Sequence, residues 1–229
     1  MLADIKEYKI KDRKYYLIDG KIYPSVTTII SILEKPRIID WAVRETINFL
    51  KNYENSILTS FLLERAKNRY IYLKEKAQER GDKIHRAIQR YIMENKFYTE
   101  LNAIANFIEW QNKTQFKCYE VEKLVISHRF RYAGRIDLFG KIKNNYCIID
   151  IKTSKKIWTS HLLQVSAYRF ASKVNARIGI LRLTNKIKDL EEYWLTEKDY
   201  NRYLQVFLYL TKIYHFLYLN KDYQILLRK

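Results

Sequence analysis

The spacing of hydrophobic residues changes near the middle of the chain. From Ile39 to about Lys113, apolar residues recur at helical spacing, with breaks near Asn52–Asn55 and Lys96–Tyr98. One long helix is predicted over Leu73–Asn95. The first half of the chain is therefore expected to be largely helical.

Beyond this point the pattern becomes typical of strands that alternate with helices. The predicted strands are Lys117–Ser127, Tyr132–Ile142, Tyr146–Lys152, Arg177–Leu183 and Leu190–Leu195. Two helices are predicted, over Ser160–Ser172 and Glu197–Leu219. This order of elements predicts an α/β domain with a central mixed sheet flanked by helices.

The first 30 residues predict a hairpin followed by a short helix. In "KYYLIDGKIYPSV", strand-forming residues flank Asp19-Gly20, a pair that favours a tight turn. Pro24 ends the second strand, and Ser25 can cap a helix through "VTTIISIL".

Composition favours a polyanionic partner. The chain has 43 basic and 25 acidic residues, a formal net charge of +18, and such an excess attracts nucleic acid through phosphate contacts. Surface enrichment in lysine, unconnected with any partner, is the alternative.

No apolar run is long enough to span a membrane, and no signal-peptide core precedes the first hairpin. We therefore expect an intracellular, cytoplasmic protein without a membrane partner.

The tripeptide pattern Asp-x-Lys occurs four times and does not by itself mark a site. Three copies lie within the first 21 residues, around the predicted hairpin. The fourth, Asp150–Lys152, follows the apolar run "YCII", which predicts a central strand. Alternation along that strand places Asp150 and Lys152 on one face.

A second aspartate is expected on the same face. If Asn144-Asn145 forms a two-residue turn, Asp137 lies directly opposite Lys152, with Asp150 as its diagonal neighbour. Two carboxylates and an amine that converge in this way suit metal-assisted phosphodiester hydrolysis. A salt-bridged pair on a sheet face, without chemistry, is the alternative.

Four segments between about Arg80 and Tyr168 together resemble the RecB-like branch of the PD-(D/E)XK nuclease superfamily. They are "ERGDKIHRAI" with His85, "VEKLVISHRFRYAGRIDL" with Glu122 and Asp137, "DIK" with Asp150 and Lys152, and "HLLQVSAYRF" with Gln164 and Tyr168. The resemblance implies a restriction-endonuclease-like core. It further implies one nuclease domain over residues 1–229, in which 1–72 form an N-terminal hairpin and helical subregion and 73–229 the nuclease core.

The resemblance also implies roles for single residues. His85, Asp137, Asp150 and the backbone carbonyl of Ile151 would hold Mg²⁺ or Mn²⁺. The catalytic set would be Asp137, Asp150, Lys152, Glu122, Gln164 and Tyr168. Glu120 competes with Glu122 for the acidic position, since both lie on one predicted strand face.

The resemblance therefore predicts a metal-dependent deoxyribonuclease of DNA repair or recombination, acting as an exonuclease on ends or single strands. A structure-selective endonuclease and a non-catalytic nucleic-acid-binding protein with a nuclease-like fold remain alternatives, as does a basic scaffold protein.

The chain has two cysteines, Cys118 and Cys147, which we expect to be free thiols. They are too few for the iron–sulfur cluster of the CRISPR-associated members. A homo-oligomer is compatible with the sequence.

Overall fold

The computed structural model describes residues 5–10, 12–33, 36–54, 56–94 and 102–219. The chain separates into two units, one formed by the residues before Leu33 and from Ala87 onwards, and the other by Leu33–Arg86. The predicted break at Lys96–Tyr98 lies outside the described residues. No helix in the described ranges is both long enough and apolar enough to cross a membrane.

The order of elements agrees closely with the hydrophobic pattern. The strands are β1 (Ile5–Ile10), β2 (Arg13–Ile18), β3 (Lys21–Pro24), β4 (Phe116–Ser127), β5 (Tyr132–Ile142), β6 (Asn145–Lys152), β7 (Arg177–Leu183) and β8 (Leu190–Trp194). The helices are α1 (Val26–Ile30), α2 (Pro36–Lys51), α3 (Ser60–Lys67), α4 (Arg69–Glu94), α5 (Asn102–Thr114), α6 (Thr159–Ser172) and α7 (Glu197–Tyr214). A π-helical turn, His215–Leu219, follows α7.

The larger unit is built on a five-stranded mixed sheet with the order β4-β5-β6-β7-β8. Strands β6 and β7 are parallel, while the other neighbours are antiparallel. Helix α6 connects the two parallel strands and packs against β4 to β7, and α5 packs against β4 and β7. The predicted α/β class, with a central mixed sheet flanked by helices, is confirmed.

The N-terminal hairpin is confirmed and belongs to a larger element than predicted. Asp19 and Gly20 form its turn with φ of 48° and 70°, in the left-handed region that a tight hairpin turn requires. Ser25 caps α1 by accepting the Thr28 backbone N–H at 3.0 Å. An additional strand, β1, pairs with β2 and completes a three-stranded antiparallel sheet. A single parallel bridge between Ser25 and Ala133 joins this sheet to β5.

The predicted register between β5 and β6 is wrong by two residues. Ile142 pairs with Asn145, so the turn consists of Lys143 and Asn144. Lys143 adopts a φ of 54°, a conformation that Asn accepts more readily than Lys, and the sequence therefore favoured the later turn. A two-residue shift keeps every side chain on its face. In the observed register the position opposite Asp137 is Asp150, not Lys152.

The two cysteines are free, as predicted, with Cys118 half-buried and Cys147 buried. Burial raises the pKa of the Cys118 thiol to about 11. The thiol is therefore neutral, and unreactive as a nucleophile, at physiological pH.

Gly134 fixes how closely helix α6 approaches strand β5, which generates a stability prediction. A β-carbon at Gly134 would lie 2.5 Å from the Tyr168 ring and 3.2 Å from Val26. Both neighbours are buried, so Gly134→Ala should lower the free energy of unfolding by about 1–3 kcal/mol. Urea denaturation followed by circular dichroism measures this change.

Gly20→Asn is the matched control, because that position has open space around it and a positive φ that Asn accepts. Its midpoint should move much less than that of Gly134→Ala. Equal midpoints for wild type and Gly134→Ala would contradict the close packing of Tyr168 on β5.

Candidate active site

Asp137 and Asp150 lie where strands β5 and β6 stop pairing. The last backbone pair is Leu138 with Ile149, and the next positions in this register are the two aspartates. The Asp137 carboxylate accepts the backbone N–H of Ile151 at 2.7 Å. A side chain of β5 thus accepts from a backbone N–H of β6, in place of the backbone carbonyl that would accept it in a continued strand pair. This contact anchors Asp137 to the residue next to Asp150, at the point where the strands separate.

Asp150 is fully buried and held from two sides. The Gln164 side-chain amide donates to its Oδ1 at 3.0 Å. The Lys152 ammonium pairs with its Oδ2, and this lysine keeps 18% of its side chain exposed against 1% for Asp150. A buried carboxylate requires such partners, because transfer of an unpaired charge from water costs several kcal/mol. The partly exposed lysine therefore lies on the solvent side of a fixed carboxylate.

Gln164 and Tyr168 lie one turn apart on α6 and act on the same carboxylate. The Gln164 amide also donates to the Tyr168 hydroxyl at 2.8 Å. Burial, followed by the negative charges of Asp150 and Asp137, raises the pKa of Tyr168 well above its ordinary value. The phenol therefore stays neutral and fixes the amide plane. A continuous chain runs from Tyr168 through Gln164 and Asp150 to Lys152.

Glu122 lies beside Asp137, in a strained part of β4. Its φ is 53°, which is unusual for a non-glycine residue and lies outside the extended conformation of a strand. Its carboxylate accepts from the Gln89 amide at 2.8 Å, and its charge helps to raise the pKa of Asp137. Glu120, the competing residue, instead pairs with Lys123 and is half-exposed.

Three residues that hold this region together were not identified from the sequence. Gln89 supports Glu122 from helix α4. Arg135 donates to the Glu122 backbone carbonyl at 3.1 Å, and its other nitrogens bind the carboxylate of Glu7 on β1. The first sheet thus supports the strained backbone of β4. Arg135 stands inside the "YAGRID" segment, but its partner Glu7 is 128 positions away and could not be found by local patterns.

All of the predicted site residues except His85 lie in the larger unit. Asp137, Asp150, Lys152, Gln164 and Tyr168 form one connected set, and Glu122 lies next to it. His85 belongs to the other unit, on α4 one helical turn before Gln89, and is half-buried. Its role in metal binding stays a prediction, as does that of the Ile151 carbonyl.

The donor set suits a hard divalent cation. Two neighbouring carboxylates could supply oxygen ligands, and Asp137 keeps part of its surface exposed. Among the described residues no group of three or more His, Cys, Asp or Glu side chains could hold a metal ion. Further ligands would therefore be a backbone carbonyl, water or phosphate oxygens, the combination common for Mg²⁺.

Comparison with known proteins does not assign a family. No protein-family model matches the chain, and no curated protein matches its sequence. One similar solved structure is that of a protein named SSO0001, at 15% identity with a TM-score of 0.34, covering 81% of this chain and 74% of the other. Another is a candidate exonuclease from Eubacterium rectale, at 10% identity with a TM-score of 0.31, covering 80% of this chain and 64% of the other. At these scores the likeness identifies neither a family nor an activity.

The buried setting of Asp137 predicts a pH-dependent stability. Burial raises the pKa of Asp137 to about 6 from 3.8, although Lys152 and the Ile151 N–H act in the opposite direction. Between these values the folded state holds a proton that the unfolded state has lost, so stability falls as pH rises. In EDTA, the free energy of unfolding of wild type should fall by about 2–3 kcal/mol, relative to that of Asp137→Asn, between pH 4 and pH 7. Urea unfolding of both proteins at each pH measures the difference.

Asp189→Asn provides a control of opposite sign. Hydrogen bonds from Thr184 and Arg182 lower the pKa of Asp189, so its ionised form favours folding and its contribution is lost as pH falls. The stability of the Asp189→Asn variant, relative to that of wild type, should therefore increase as pH falls. A constant difference between wild type and Asp137→Asn from pH 4 to pH 7 would contradict the buried setting of Asp137.

Proposed function

We propose that this protein is a divalent-metal-dependent deoxyribonuclease that acts as an exonuclease on DNA ends or single strands. The observation that carries the proposal is the meeting of Asp137 and Asp150 at the end of a strand pair, with Lys152 beside them on the solvent side. A salt bridge needed only for stability would not require a second carboxylate at the same point. The order of the flanking motifs supports the same assignment.

The charge of the chain supports a nucleic-acid substrate. A net charge of +18 favours association with a phosphate backbone and is costly for a compact fold without such a partner. The choice of DNA rests on the resemblance to RecB-like nucleases, and so does a role in repair or recombination.

Each residue of the connected set has a distinct task in this proposal. Asp137 and Asp150 would hold Mg²⁺ or Mn²⁺, which when bound neutralises phosphate charge and lowers the pKa of coordinated water. Lys152 orients the attacking water and stabilises negative charge that develops on the phosphate oxygens. Gln164 and Tyr168 keep the Asp150 carboxylate in one orientation.

Cleavage of labelled DNA tests the proposal. End-labelled single-stranded and duplex DNA would be incubated with Mg²⁺, Mn²⁺ or EDTA, and the products separated on denaturing gels. Wild type should cleave only with metal. Asp150→Asn and Lys152→Ala should each lower the rate by about 10²–10⁴-fold, because each removes a group that acts on the reacting phosphate.

Asp189→Ala and Lys188→Ala are matched controls, a carboxylate and a lysine in the loop before β8, and both should cleave at the wild-type rate. Metal-dependent cleavage that survives Asp150→Asn would overturn the site assignment. Binding without cleavage under every metal condition would favour the non-catalytic alternative. Products that shorten from one end indicate an exonuclease, and internal cuts indicate an endonuclease.

A further inference from the structure

A cluster of aromatic and lysine side chains, all at least partly exposed except Phe139, lies near the β5–β6 turn. We call it the tip surface, and it comprises Lys117, Tyr119, Phe139, Lys141 and Tyr146. The Tyr146 ring stacks on Phe139, with centroids 5.7 Å apart and an angle of 5° between the planes, and Tyr119 meets Tyr146 edge-on at 6.4 Å. Tyr119 is 53% exposed and Tyr146 40% exposed. Their rings therefore offer π surface to solvent.

The position of Tyr119 results from an irregularity in β4. The β4–β5 register shifts between Cys118 and Glu120, so that Tyr119 is the extra residue of a β-bulge. Bulges interrupt strand pairing and re-aim a side chain. Here the bulge places the exposed ring of Tyr119 against Tyr146. Regular strand pairing does not require this contact.

The lysines of the tip surface form an unfavourable arrangement that an anion would relieve. Lys117 lies directly opposite Lys141 in the strand pair, and like charges in that position are destabilising. Neither lysine forms an ion pair within the described part of the chain. The nearby carboxylate of Glu120 is already paired with Lys123. The Lys141 ammonium lies 4.3 Å above the Tyr146 ring, so positive charge borders the aromatic face.

The tip surface lies on the same face of the sheet as the candidate active site. Asp137, Phe139 and Lys141 are alternate residues of β5 and share one face of the sheet. Lys141 lies four positions along the strand from Asp137, about 14 Å at ~3.4 Å per residue. A few nucleotides would cover this length.

We propose that the tip surface binds single-stranded nucleic acid and leads it to the Asp137–Asp150 site; the second half of this statement rests on the proposed function. Exposed rings stack on bases of any sequence, and flanking lysines neutralise phosphates. Bases in a duplex already stack on their neighbours, so an unpaired strand is the favoured ligand. The tip surface would therefore select single strands independently of the cleavage chemistry.

Binding in the absence of metal tests the proposal. Fluorescence anisotropy in EDTA would compare a labelled 20-nucleotide oligo-dT with a duplex of the same length. Tyr146→Leu keeps apolar cover over Phe139 but removes the π face, and should weaken binding of oligo-dT about tenfold or more. Tyr146→Phe keeps the ring and should bind like wild type. Duplex binding should change less than twofold.

The salt dependence of binding tests the lysines of the tip surface separately from the rings. Replacing Lys117 and Lys141 with Gln should reduce the slope of log affinity against log salt concentration by about 0.7 for each lysine that contacts a phosphate. Tyr209→Leu and Lys212→Gln on α7 are matched controls, since Tyr209 is 64% exposed with Lys212 near its ring. Both should bind oligo-dT like wild type.

The outcomes separate this proposal from the proposed nuclease activity. Wild-type affinity of Tyr146→Leu for oligo-dT, in protein with an unchanged melting temperature, would overturn the tip-surface proposal and leave the nuclease proposal standing. An equal loss of duplex binding would also overturn it. Weakened oligo-dT binding in a protein that never cleaves DNA would confirm the surface and reject the nuclease.

Discussion

The site depends on one hydrogen bond, between the Asp137 carboxylate and the Ile151 backbone N–H. It forms where the β5–β6 ladder ends, and it satisfies a buried backbone donor that the separating strands would leave unpaired. The same bond fixes Asp137 next to Asp150. Lys152 pairs with Asp150, and its charge also favours the ionised form of Asp137, whereas burial and the charge of Glu122 disfavour that form.

The surrounding structure holds these groups rigidly. Gly134 lets the Tyr168 ring lie against β5, which places the amide of Gln164 on Asp150. On the other side, Arg135 joins Glu7 of the first sheet to the strained backbone at Glu122. Strain of this kind persists only where neighbouring contacts maintain it. The N-terminal sheet, which carries none of the catalytic residues that we propose, is thus part of the support for the site.

The sequence predicted the elements more successfully than their pairing. The bounds of β5 and β7 were predicted to the residue, because their apolar runs are bordered by clear turns. The β5–β6 register was wrong by two residues, since that shift changes no hydrophobic face and only the conformation of Lys143 decides it. Strand β1 was missed because four of its six residues are polar or exposed. Gln89 and Glu7 act across long sequence separations, which local patterns do not encode.

In the proposed function Asp137 and Asp150 together hold a divalent cation, and direct metal binding tests this assignment without any substrate. Isothermal titration of Mn²⁺ into the metal-free protein should show a site that is lost in both Asp137→Asn and Asp150→Asn. Asp189→Asn, which changes the charge by the same amount outside the site, should bind Mn²⁺ like wild type. Unchanged Mn²⁺ binding in the two site variants would contradict a metal site at Asp137 and Asp150.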